Sequence, residues 1–304
     1  MANIAIGGLR YGRLNHAEQL SAMIRIGDAE NEVFFRTVDG PIDKSIEPFL
    51  ALGLLPAMIL GQDLHVVGPV SPVLLNNLRI LQTRFLEQYP QLHVVAIVAD
   101  AEAPRLPPTP RRTGVFFSGS VDSFFTLLEH QHEISDLVFV HGFDIPLSSR
   151  DLHAAAPAMI RRVAQGMSKR LIRIETNLRE FTDRYGDWGQ HLHGPALAAV
   201  ALLLSRQIQR MFVAGELRGG TLSASRLEFD SLWSTEWVEI IHDGHDATRF
   251  QKLRRIGSHP LAQQSRRVCW ENFPGTDGVR PAVGKGRALL SRRAVLSQPA
   301  RAHA

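Results

Sequence analysis

Six consecutive residues, Ser118-Gly119-Ser120-Val121-Asp122-Ser123, put three hydroxyls, a glycine and a carboxylate between two apolar runs. The run before them is Gly114-Val115-Phe116-Phe117 and the run after is Phe124-Phe125-Thr126-Leu127-Leu128. Read as a strand turning into a helix, this is a place for an anion. Gly119 permits close backbone approach, the N–H groups entering the helix point at the site, and the serines add hydroxyl donors. Asp122 opposes a phosphate by sign, but a carboxylate here can hold Mg²⁺ or cap the helix instead.

Other candidates carry less. His191 and His193 are two apart, which suits neither one helix face nor a common zinc spacing, so they read as structural or substrate-contact side chains beside His141. His242-Asp243-Gly244-His245-Asp246 could be a metal loop, but Asp and Gly serve equally to turn a strand into a helix cap, and the turn is favoured. Arg249 and Lys252, three apart on a predicted helix, fit a solvated face as well as a site. Trp233 and Trp270 read as packing groups. No Ser-His-Asp arrangement is marked, because nothing orders a histidine beside Ser118.

The elements that must position the loop alternate. After it come strand candidates at 136–141, 171–175, 211–214 and 237–242, separated by predicted helices at 151–169, 195–208 and 247–256. With the strand 113–117 and the helix 121–130 this predicts an α/β fold, a doubly wound parallel sheet of Rossmann-like type. In such a sheet ligands sit beyond the carboxyl ends of the strands. Before it, residues 101–113 hold Pro104, Pro107, Pro108 and Pro110 and read as a linker. Residues 1–100 then form a small α+β domain of unknown role, with strand candidates at 32–38, 64–67 and 92–98 around a helix at 71–88.

The loop resembles the fingerprint of the PP-loop ATP pyrophosphatase superfamily, Ser-Gly-Gly-x-Asp-Ser. The departure is Ser120, where the family has its second glycine; if that position needs a positive φ, serine costs on the order of 1 kcal/mol. Residues 113–272 are similar to the branch that includes 7-cyano-7-deazaguanine synthase. The matching pieces are Val138-Phe139-Val140-His141-Gly142-Phe143-Asp144, His193-Gly194-Pro195-Ala196-Leu197-Ala198-Ala199 and Leu232-Trp233-Ser234-Thr235-Glu236. Asp246-Ala247-Thr248-Arg249-Phe250-Gln251-Lys252 and Arg267-Val268-Cys269-Trp270 follow.

The resemblance implies a nucleotide-binding fold of the HUP type, at 114–278, in which Mg-ATP adenylates a substrate oxygen and nitrogen or sulfur then displaces AMP. That makes the chain an AMP-forming, pyrophosphate-releasing ligase or amidotransferase-like enzyme on a small metabolite, with ATP and Mg²⁺ as cofactors. The alternative is a catalytically weak nucleotide-binding relative acting through interaction. On this resemblance Ser118, Gly119, Ser120, Val121, Asp122 and Ser123 would cradle the β and γ phosphates. Asp122, Lys252 and Arg249 would be the catalytic group, the two cations neutralising charge on pyrophosphate. The backbone around His141 and Gly142 would form an adenosine wall.

Composition sets the frame. The chain has 304 residues, 44% apolar and 21% charged, enough for a full core. The apolar stretches 48–61 and 195–204 are shorter than the roughly 18–20 residues a membrane crossing takes, and no signal-peptide pattern opens the chain, so a cytoplasmic protein is expected. One cysteine, Cys269, excludes an internal disulfide. The pI of 9.6 comes from residues 279–304, which hold six basic and no acidic side chains; without them the net +4 becomes −2. Nucleic acid is therefore an unlikely partner, the tail reading as basic and disordered, while homo-oligomerisation stays open. Relatives carry a Cys-Gly-x-Cys zinc module where 279–285 has no cysteine. Val279-Arg280-Pro281 can be encoded by bases that read Cys-Gly-Arg one base later, so a frameshift product is the reading of this tail.

Overall fold

The computed structural model describes residues 3–101, 112–144, 147, 150–215 and 223–265. Cys269, Trp270, the tail 279–304 and most of the Pro-rich segment lie outside them.

The chain opens with an antiparallel meander, β1 (Ile4–Leu14), β2 (Ala17–Ile26) and β3 (Ala29–Thr37). Helix α1 (Glu47–Leu60) follows, then β4 (Leu64–Val70), α2 (Pro72–Gln88) and β5 (Ile97–Ala101), with β4 parallel to both β1 and β5. Neither β1 nor β2 shows clean alternation in sequence: glycine and arginine interrupt it in β1, and adjacent Glu18-Gln19 and Ser21-Ala22 break it in β2. The apolar stretch that became α1 drew notice only as a membrane question. That helix is buried on nearly every side, with Pro48 in its first turn and Gly61 closing it at φ 63°. A helix apolar all round has no periodicity to read.

The second half alternates as expected: β6 (Arg112–Phe116), α3 (Val121–Glu129), β7 (Asp136–His141), α4 (Arg150–Gly166), β8 (Arg170–Thr176) and the short α5 (Leu178–Thr182). A π-helical turn (Trp188–Leu192) leads into α6 (His193–Leu203), then β9 (Ile208–Ala214), α7 (Leu227–Asp230), a 3₁₀ turn (Ser231–Trp233), β10 (Glu239–Asp243), α8 (Arg249–Gly257) and α9 (Pro260–Ser265). Every strand and helix read from this half is present, with ends shifted by a few residues.

All ten strands form one sheet in the order β10-β9-β6-β7-β8-β3-β2-β1-β4-β5. The five strands of the second half are mutually parallel. Their side chains alternate between two apolar layers. Phe116, Val138, Ile174, Met211 and Val213 pack with α1 and α6, whereas Val115, Leu137, Phe139 and Phe212 pack with α3, α4 and α8. The fold is α/β with a large, mostly parallel mixed sheet, compatible with a Rossmann-like arrangement.

The two halves meet in that sheet. β3 pairs antiparallel with β8, Phe35 opposite Thr176 and Arg36 opposite Glu175. The Asn177 side chain prolongs this ladder, accepting from Phe34 N–H at 2.9 Å and donating to the Glu32 carbonyl at 2.9 Å. Asp39 clamps the next position through Arg173, at 2.8 Å from both Nε and Nη2. Because Asn177 stands in for a backbone pair, Asn177→Ala should lower stability by about 1–2 kcal/mol, read as a lower urea midpoint at unchanged slope. An unchanged midpoint would mean that the ladder ends at Thr176.

A second tie lies at the start of α2. Ser71 accepts from Leu74 N–H at 3.0 Å as the helix cap and donates its hydroxyl to Glu236, while its own N–H donates to buried Glu47 at 2.7 Å.

Candidate functional site

In the parallel half the chain starts in the middle, at β6, moves outward through β7 and β8, then returns to β9 on the other side. The crevice at such a reversal lies between the carboxyl ends of the first strand and its new neighbour, here β6 and β9. Ser118-Gly119-Ser120 leaves β6 at that edge, and Gly215 leaves β9.

The loop has the shape its sequence suggests, with one reassignment. Gly119 takes the positive φ, 80°, a conformation that strains any residue with a Cβ. Ser120 does not: its φ of −70° and ψ of 167° are ordinary extended values. The strain expected from serine at this position is therefore absent. Its hydroxyl caps α3, accepting from Ser123 N–H at 3.3 Å, and the buried Ser123 hydroxyl lies 3.2 Å from it and donates to the Ser120 carbonyl at 3.1 Å. Val121 and Asp122 then occupy the first helical turn, where backbone N–H groups have no acceptor within the helix.

Asp122 is bracketed by the two cations. Arg249 Nη1 donates to Oδ2 at 2.6 Å and Lys252 Nζ to Oδ1 at 2.8 Å. The face of α8 is thus joined to α3; the solvated reading fails for buried Lys252, whereas Arg249 stays half in solvent. Thr248 and Gln251 cap α8 reciprocally, which fixes where its first turn begins. Lys252 is fully buried and also donates to the Gly215 carbonyl, tying the loop to β9 across the crevice.

Beyond Gly215 lies a pair that the sequence did not mark. His242 Nδ1 sits 2.7 Å from Asp230 Oδ2, which also accepts from the Ser225 hydroxyl at 2.9 Å; histidine and aspartate are both buried. A Cβ on Gly215 would stand 2.0 Å from His242 Nε2, so glycine is required for this approach. Asp230 sits in an unremarkable stretch, Leu227-Glu228-Phe229-Asp230, and no spacing links it to His242.

The remaining candidates are spread more widely. His141 is buried at the end of β7 opposite Glu175, and Gly142 follows with φ 106°. His193 opens α6 near Phe143 and Trp188, with ring centroids 6.3 and 5.3 Å away, and burial lowers its pKa against the opposing pull of Asp144 and Asp230. Arg179 lies over Trp188 at 4.2 Å and donates to the Phe143 carbonyl at 3.1 Å, completing an aromatic wall beyond β7 and β8. His191 points elsewhere, against Tyr89 at 4.9 Å, and burial lowers its pKa also. Trp233 is core.

The 242–246 segment is the end of β10 and the turn after it: Gly244 has φ 77°, and Asp243, the last strand residue, accepts from Thr126 at 2.7 Å and pairs with His130 at 2.9 Å. Among the described residues no group of three His, Cys, Asp or Glu side chains is placed to hold a metal ion by itself. Asp122 with the loop hydroxyls offers hard oxygen donors, which suit Mg²⁺ arriving with phosphates. No described helix is long and apolar enough to cross a membrane.

This edge defines an α/β protein with a glycine-serine turn into a helix at a strand-order reversal. No known family model matches the chain, and no curated protein matches it either.

Proposed function

We propose that the chain binds Mg-ATP on the 118–123 loop and is an AMP-forming ligase or synthase of the PP-loop kind, with a doubly wound nucleotide-binding half. The observation that supports this most is the conjunction at one crevice of a Gly119 turn, a serine-capped helix start and the Asp122–Lys252–Arg249 group. Bound Mg-ATP would supply an AMP leaving group to an otherwise unreactive substrate oxygen, with loss of pyrophosphate. Ser118, Ser120 and the N–H groups of Val121 and Asp122 would hold the phosphates, and Arg249 would meet charge growing on pyrophosphate. His141 and Gly142 would back the adenosine. The Phe143–Trp188–Arg179 wall suits a planar acceptor, which favours a nucleobase-like substrate over a sugar.

Calorimetric titration of Mg-ATP tests this reading. Saturable binding by the native chain that is lost in Asp122→Ala is expected; no binding by the native chain would end it. Ser120→Gly should leave affinity unchanged and cost only a few tenths of a kcal/mol, whereas Ser120→Ala should cost about 1 kcal/mol of stability through the lost cap. Tighter nucleotide binding by Ser120→Gly would mean that the serine side chain crowds the phosphates.

A further inference from the structure

The two cations on Asp122 are held very differently. The Lys252 side chain is 1% exposed, and its ammonium is fixed by Asp122 in α3 and by the Gly215 carbonyl after β9. It also lies 5.6 Å from the Phe125 ring, close enough to Gly244 that a Cβ there would stand 3.2 Å from Nζ. No anion can draw it out without undoing these ties. Arg249 is 54% exposed and, among the described residues, has a single bond, to Asp122 Oδ2. A half-solvated ion pair of this kind is weak and easily exchanged.

We propose that Arg249 is a displaceable counter-ion that keeps Asp122 closed to divalent cations until a polyphosphate arrives, and that Lys252 is a fixed positioning residue. The proposal rests on the nucleotide reading above. A cation arriving alone meets one carboxylate already covered by two positive side chains. A polyphosphate offers the guanidinium a better, forked partner. Arg249 then turns to the phosphate, and Asp122 Oδ2 is bared for the cation that travels with it. Cation and polyphosphate would therefore bind together and neither would bind well alone.

The test uses the full chain with two probes, Mn²⁺ alone and the Mn²⁺–pyrophosphate complex, and compares wild type with Arg249→Ala, Arg249→Lys and the double variant Arg249→Ala/Asp122→Asn. Arg249→Ala should bind Mn²⁺ alone roughly tenfold more tightly than wild type and the pyrophosphate complex roughly tenfold more weakly. Arg249→Lys should restore exclusion of Mn²⁺, and the double variant should lose the gain. Lys252→Met should lower the urea midpoint, where Arg249→Ala leaves it in place. Equal Mn²⁺ affinity in wild type and Arg249→Ala, or a gain that survives in the double variant, would overturn the proposal. Failure of wild type to bind either Mg-ATP or the pyrophosphate complex would instead remove the nucleotide reading, and the polyphosphate trigger with it. A gain of Mn²⁺ binding by Arg249→Ala would in that case still identify the counter-ion.

Discussion

Gly142→Ala is expected to cost about 3 kcal/mol or more, enough to unfold much of the protein under ordinary conditions. Two effects add at this position. Its φ of 106° is one that residues with a Cβ rarely adopt, and an alanine Cβ would stand 1.9 Å from the Thr176 carbonyl oxygen. That oxygen belongs to backbone at the end of β8, so it cannot swing aside as a side chain would. Relief requires the ends of β7 and β8 to part, on either side of buried His141 and Phe143. Gly257→Ala is the matched control, because nothing lies within 4 Å of its added Cβ and its φ is ordinary; it should stay within about 0.5 kcal/mol of wild type. Urea unfolding of the two variants compares them directly. A loss below about 1 kcal/mol in Gly142→Ala would contradict the close approach of the two strand ends.

Stability should also fall as pH rises from 5 to 8, and Glu47 should account for most of the fall. Burial pushes its carboxyl from the usual 4.5 up to about 7, with Asp43 and Glu236 adding repulsion and the bond from Ser71 N–H opposing. The folded chain therefore keeps the proton where the unfolded chain has released it. The contribution is complete below about pH 4.5 and is lost as pH climbs through about 7, amounting to on the order of 3 kcal/mol. Glu47→Gln keeps an acceptor for Ser71 N–H but removes the charge, so its melting temperature should change far less across this window. His130 acts in the same direction: burial opposes its protonation, but bonds to Asp243 and Glu133 raise its pKa, so its share is also lost with rising pH. Glu18 and Glu133 act only at more acid pH: despite desolvation, Glu18 is lowered first by the Ile42 N–H and then by Arg13, and Glu133 by Arg210 and His130. Parallel pH curves for wild type and Glu47→Gln would show that Glu47 is already charged in the fold.

Much of the second half was legible because its strands are short apolar runs punctuated by glycine, serine and asparagine. The 118–123 turn was legible because hydroxyls, glycine and carboxylate are consecutive in it. Arg249 and Lys252 were visible as a spacing, but which partner they meet depends on α8 packing beside α3, more than a hundred residues away in sequence. The Asp230–His242 pair and the approach of Gly215 were not legible, since each joins segments that only the strand order brings together. The condition attached to Ser120 is not met, because a motif position does not say which residue takes the positive φ; here Gly119 does, and Ser120 is left to cap. Of the meander only β3 was legible, at 32–38; β1 escaped because Arg10, Gly12 and Arg13 occupy an exposed extension that carries no alternation.

The β3–β8 joint also sets an order of events during synthesis. Asn177 is 143 residues beyond its partner Phe34, so at roughly 5–20 residues per second β3 emerges on the order of 10 s before the strand that completes it. Through that interval one side of the meander offers unpaired backbone groups to any extended chain nearby. A nascent or truncated N-terminal fragment is thus the form of this protein most prone to strand-to-strand association, and the arrival of β8 ends that exposure.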